Sequence, residues 1–114
     1  MLKFGELILN NGIYNNQQIV SQSWIDLATN SQITTTDIVP FQNGYGSYWW
    51  TGMKDGIDYF FANGYGGQFI VIIPALEMVI VATNTFTGIP DAKCQEQWYQ
   101  TMNIIVNYIL PSAY

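Results

Sequence analysis

Histidine and arginine are absent from this chain, and cysteine occurs once. Each gap excludes something. Without histidine there is no Ser-His-Asp triad, no Cys-His dyad and no imidazole to hold zinc. Three lysines stand against eight acidic residues, so no basic stripe exists to displace counterions from a phosphate backbone. Nucleic acid is excluded as a partner, and the net charge of −5 disfavours an anionic membrane surface. The single Cys94 cannot close an internal disulfide, so cysteine usage leaves the compartment open. No run reaches the roughly 18 apolar residues of a spanning helix, so membrane insertion is not expected. Met1 leads directly into helix-like sequence, which is read as carrying no signal peptide. No cofactor or metal is expected.

What remains is apolar and aromatic. Hydrophobic residues make up 49% of the 114, charged residues only 10%, and rings 16%. That composition argues against disorder and for one domain over residues 1–114 with a modest core.

In MLKFGELILN, Phe4, Leu7 and Ile8 share one helical face, and Asn11-Gly12 offers a C-cap. No Ser, Thr, Asp or Asn precedes this helix, so sequence upstream is expected to begin it. Residues 13–20 read as a turn and a short extended piece. Ser21 reads as the N-cap of a second helix that carries Trp24, Leu27 and Ala28 on one face. The polar, turn-rich stretch 30–46 reads as a long loop. Strand-like runs follow at 47–52, 57–62, 67–74 and 78–84, with Lys54-Asp55-Gly56 and Pro74 to Glu77 as the short turns of an antiparallel meander. The run 69–73 is apolar on both faces, which predicts a central strand covered by helices on at least one side. Pro90-Asp91 open a last helix with Trp98, Met102, Ile105 and Ile109 on one face, ended at Pro111. The fold class is α+β: an antiparallel three- to four-stranded sheet backed by a long C-terminal helix.

Several groups invite a functional reading. Tyr45, Tyr48, Trp49, Trp50, Tyr59, Phe60 and Phe61 could form a stacking platform, or simply pair rings across neighbouring strands. Trp49 and Trp50 are consecutive and must face opposite sides of a strand, so one of them is expected toward solvent or a cleft. Asp55 and Asp58 flank a hairpin and lack the ligand count of a calcium loop. Cys94 lies in the first turn of the last helix and reads as a semi-buried structural thiol. Tyr108 and Tyr114 read as packing.

The stretch ANGYGGQFIVIIP, residues 62–74, is the sharpest signal. Gly66-Gly67 sit directly before a strand, where glycine has little to pack. Either a turn needs φ > 0 there, or something approaches the backbone closely. An edge shaped this way can hold an extended amide or stabilise an oxyanion.

Taken in order, KFGELILNNGIYNNQQIVSQSWI, GYGSYWW, FFANGYGGQFIVIIP and MVIVATN resemble the C-terminal part of the serine β-lactamase-like family. That family includes class C β-lactamases, penicillin-binding D-alanyl-D-alanine peptidases, family VIII-type esterases and nylon-oligomer hydrolases. The resemblance covers Leu2 to about Ile109 and implies part of an α/β/α sandwich. It implies acyl transfer on a small-molecule amide, ester or β-lactam through an acyl-enzyme. It also implies export to the periplasm or beyond for the intact protein. The family works with a Ser-x-x-Lys motif, a Tyr-x-Asn or Ser-x-Asn motif, and a Lys-Thr-Gly or His-x-Gly motif at a strand edging the cleft. A desolvated lysine can serve as the serine's base. Here no lysine stands three residues after a serine, so the chain carries no catalytic residue and is expected to be inactive alone. Tyr14-Asn15-Asn16 fits the second motif in letters but stands in a turn out of the family's order. Lys54-Asp55-Gly56 imitates the third motif but reads as a hairpin. Tyr65-Gly66-Gly67 is the match the resemblance implies, with tyrosine where the family has lysine or histidine. Tyr65, Gly66, Gly67, Gln68 and Trp50 are the expected substrate-binding residues. A stand-alone binding or scaffold module using the Trp49, Trp50 and Tyr65 surface is the alternative. A homo-oligomer covering the open sheet edge is the remaining partner expectation.

Overall fold

A computed structural model describes residues 1–35 and 40–114. Helix α1 (Leu2–Leu9) is followed by the hairpin β1 (Ile13–Tyr14) and β2 (Gln17–Gln18), then by α2 (Gln22–Thr29). Asn15 and Asn16 close the hairpin with φ of 48° and 60°, the left-handed pair that a two-residue turn of this twist requires. The Tyr14-Asn15-Asn16 triplet is therefore a turn. Ser21 caps α2, its Oγ accepting from the Trp24 N–H at 3.3 Å.

The remaining chain builds one antiparallel sheet of six strands in sequence order: β3 (Ile33–Thr34), β4 (Gly44–Tyr45), β5 (Trp50–Lys54), β6 (Ile57–Gly64), β7 (Gln68–Ile73) and β8 (Met78–Ala82). Helix α3 (Asp91–Ile104) then returns across it, continuing into a π turn at Ile105–Ile109 and a 3₁₀ turn at Leu110–Ala113. The sheet has six strands where three to four were expected. The two extra strands lie inside the stretch read as a loop. Each is two residues long, and Ile33 and Thr34 are both exposed, so neither carries an apolar alternation to detect. Residues 36–39 of that stretch lie outside the described residues. The run at 47–52 also starts late. Tyr48 adopts φ 69°, which turns the chain, and β5 begins only at Trp50.

The pleat sorts the strands into two cores. Tyr59, Phe61, Phe69, Val71 and Ile73 meet Met102, Ile105, Val106 and Leu110 of the C-terminal helical segment on one face. Phe60, Ile70, Ile72 and Val79 meet Ile8, Ile25, Ala28 and Trp49 on the other. The strand that reads as apolar on both sides is thus covered by helices on both sides. Trp49, just before β5, and Trp50, its first residue, pack against the two different cores.

The helical faces differ from their predicted positions. In α1 the buried residues are Gly5 and Ile8, while Phe4 is half exposed and stacks on Trp49. A Cβ on Gly5 would lie 2.5 Å from Val79 Cγ1, so the missing side chain lets α1 settle onto β8. In α2 the buried residues are Ile25 and Ala28, and Trp24 and Leu27 are exposed. At the chain's end, Tyr108 and Tyr114 are exposed and not packing residues. Tyr114 donates its hydroxyl to Asp55 at 2.8 Å. Among the described residues no helix is long and apolar enough to cross a membrane.

Candidate functional site

The glycine segment forms the turn between β6 and β7. Gly64 pairs with Gln68, leaving Tyr65, Gly66 and Gly67 to reverse the chain. Gly66 and Gly67 adopt φ of 72° and 89°, which any larger residue takes up only with strain. Close approach matters as well. A Cβ on Gly66 would sit 2.9 Å from Phe86 Cβ, and one on Gly67 would sit 2.8 Å from Asn84 Nδ2 and 3.3 Å from Trp98 Cα. Both reasons for glycine apply, and the bodies that come close belong to the protein itself.

Side chains lock this turn to the end of β8 and to α3. Asn84 donates to the Gly67 carbonyl at 2.7 Å and to Thr101 Oγ1 at 3.0 Å. Gln68 bonds the Asn84 backbone twice, donating to its carbonyl at 2.6 Å and accepting from its N–H at 3.3 Å. Gln97 donates to the Thr85 carbonyl, and the Trp98 indole N–H donates to Asn63 Oδ1 at 2.7 Å. These bonds tie the turn and the end of β8 to Gln97, Trp98 and Thr101 of α3.

A cleft of about 290 Å³ opens between the turn and that helix. It is lined by Asn63, Gly64, Tyr65, Gly66, Cys94, Gln95 and Trp98. Tyr65 stands at its edge, more than half exposed, with its ring against the edge of Phe86. Its hydroxyl donates to the Asp91 carboxylate. That bond, helped by neighbouring Cys94, holds the phenol protonated well above its ordinary range. Cys94 is fully buried beneath the cleft, and its Sγ faces the Ile89 carbonyl at 3.9 Å.

The five expected binding residues separate in space. Tyr65 and Gly66 line the cleft, while Gly67 is buried under Asn84 and α3, and Gln68 spends its amide on Asn84. Trp50 lies apart from the cleft lining, half-buried on β5 with its ring 4.5 Å from that of Tyr45. Asn63, Cys94, Gln95 and Trp98 complete the cleft and were not singled out from the sequence as binding residues. A larger cleft of about 540 Å³ lies between the end of α2 and strands β5 and β6, with Asn30, Ser31 and Thr51 beside Ile57, Phe60 and Pro74 in its lining.

No protein-family model and no curated protein matches the chain. Among solved structures, it is similar to a putative 6-aminohexanoate-dimer hydrolase from Bacillus anthracis. The TM-score is 0.61 and the identity 25%, over 96% of this chain and 28% of that one. The chain thus spans less than a third of the length of that solved structure, as a C-terminal part would. The likeness bears out the resemblance read from the ordered segments: this is the fold of the C-terminal part of a β-lactamase-like hydrolase.

Proposed function

We propose that this chain supplies one wall of the active site of a serine β-lactamase-like hydrolase. The observation that carries the reading is the likeness to a hydrolase over 96% of the chain, with the glycine turn at the edge of a cleft. In this reading a serine and its lysine base lie in sequence beyond these residues. The serine oxygen attacks an amide or ester carbonyl, the amine or alcohol leaves with a proton, and water then hydrolyses the acyl-enzyme. The role of this chain is to orient the substrate. Tyr65 offers a ring and a hydroxyl oxygen, its proton already engaged by Asp91. It positions by shape and by accepting hydrogen bonds, where a cation would position by charge.

The decisive test is the coding sequence upstream of the Met1 codon in its native locus. An in-frame Ser-x-x-Lys followed by a Tyr-x-Asn is expected there. A stop codon directly upstream, with neither motif in the preceding frame, would overturn the reading. The 114 residues alone should not turn over a chromogenic cephalosporin or a p-nitrophenyl ester. A rate that persists unchanged through further purification would overturn that part.

A further inference from the structure

The 540 Å³ cleft lies at the other end of β6 from the Tyr65 turn and on the opposite face of the sheet, beside α2 instead of α3. Alternation along β6 builds its floor. Tyr59 and Phe61 are buried against the C-terminal helical segment, so Asp58 and Phe60 take the α2 side. Thr51 stands directly across from Phe60 on β5. Gly44 stands across from Thr51 on β4, and a Cβ there would lie 1.9 Å from Ser31 Oγ. The missing side chain thus lets Ser31 settle onto the sheet. The Trp49 ring packs edge-on against Phe60 at 5.5 Å and fixes that ring in the floor.

Unused hydrogen-bonding groups converge on this floor. Thr51 Oγ1 donates to Asn43 Oδ1 at 3.0 Å, which leaves the Asn43 Nδ2 donors free. Ser31 Oγ donates to the Ile33 carbonyl at 3.0 Å and keeps its acceptor lone pairs. The Asn30 amide and the Asp58 carboxylate line the same cleft and have no side-chain hydrogen bond or ion pair among the described residues. Asp58 is the one charged residue of the lining, so a phosphate or carboxylate would meet only like charge. A purely apolar ligand would strip water from the amides and the carboxylate without replacing its bonds. A neutral ring bearing hydroxyls meets both demands. Its hydroxyls donate to Asp58 and accept from Asn30 and Asn43, while its C–H face lies on Phe60 and Pro74.

We propose that this cleft is a binding site for a neutral sugar ring, and that Asp58 turns away the phosphorylated form of the same sugar. The proposal goes beyond the hydrolase reading and does not depend on it, because the two clefts share no lining residue.

Three probes built on one six-membered ring test this: methyl glucoside, glucose 6-phosphate and cyclohexylmethanol. Binding to the ¹⁵N-labelled chain is read from the side-chain amide resonances of Asn30 and Asn43, assigned with Asn30→Ser and Asn43→Ser. Methyl glucoside should shift both saturably and leave the Trp98 indole N–H, in the other cleft, unmoved. Glucose 6-phosphate should bind roughly fivefold more weakly at low salt, and cyclohexylmethanol roughly tenfold more weakly. Asp58→Asn keeps the shape and removes the charge, and should bring glucose 6-phosphate to within about twofold of the glucoside. If that variant fails to fold, about 0.5 M salt should narrow the same gap in the parent chain. Cyclohexylmethanol binding as tightly as the glucoside would reduce the site to an apolar wall and overturn the proposal. Equal or tighter binding of glucose 6-phosphate would overturn the role of Asp58. No saturable shift with the glucoside would overturn the site altogether, and would leave the reading of the Tyr65 cleft standing.

Discussion

Gly67 shows what the double glycine does. Its φ of 89° is costly for an L-residue, and its missing side chain admits both the Asn84 amide and the backbone of α3. Gly67→Ala should therefore lower stability by about 2–3 kcal/mol, combining left-handed strain with overpacking. Urea denaturation checks this. A loss under about 0.5 kcal/mol would mean that the turn relaxes freely. The same residue explains how much of the site could be read from the sequence. Two glycines before an apolar strand announce a special backbone, and Tyr65 and Gly66 follow from it. Gln68 reads equally well as a ligand-facing amide. Only the structure shows that both ends of its side chain bond Asn84. Asn63, Gln95 and Trp98 carry no local mark, because their part in the cleft depends on where α3 lies across the sheet.

Elements were legible in kind and less so in phase. All three helices and four of the six main-sheet strands follow from periodicity and turn chemistry. The burial side of α2 does not, because Trp24-Ile25-Leu27-Ala28 offers two overlapping apolar stripes and packing chooses Ile25 with Ala28. The end of the last helix shows a different failure. Counting by 3.6 residues puts Ile109 in the core, yet Ile109 is partly exposed and Leu110 is fully buried. The π turn accounts for it. The Leu110 N–H bonds the Ile105 carbonyl five residues back, so the buried stripe advances by one residue. Leu110→Ala should cost about 2–5 kcal/mol as a core cavity, and Ile109→Ala under about 1 kcal/mol. Equal costs in chemical denaturation would show a regular α-helix through this segment.

At the scale of the molecule, a sheet apolar on both faces and helices on each side make two cores that share β6 and β7. The apolar run at 69–73 foretold this, since a strand with no polar face must be covered twice. Tyr59 is the polar weak point of that arrangement. Its ring lies against Gly52 of the neighbouring strand, and its hydroxyl donates to the Phe41 carbonyl at 2.6 Å. Burial raises its ionisation well above the ordinary value of 10. The sign follows from proton counting. Below pH 10 both folded and unfolded chains keep the phenolic proton, and nothing changes. Above it the unfolded chain loses the proton while the folded chain retains it, so stability falls as pH rises. Tyr59 alone should contribute a slope of about 1.4 kcal/mol per pH unit in that window. The exposed Tyr65, raised in the same direction by Asp91, adds a smaller part that salt screens. Tyr59→Phe should be less stable at neutral pH, because the Phe41 carbonyl loses its donor, yet should show a shallower decline from pH 10 upward. Urea midpoints measured across that range distinguish the outcomes. A decline as steep in Tyr59→Phe as in the parent chain would mean that some group other than this buried phenol limits the alkaline stability of the two cores.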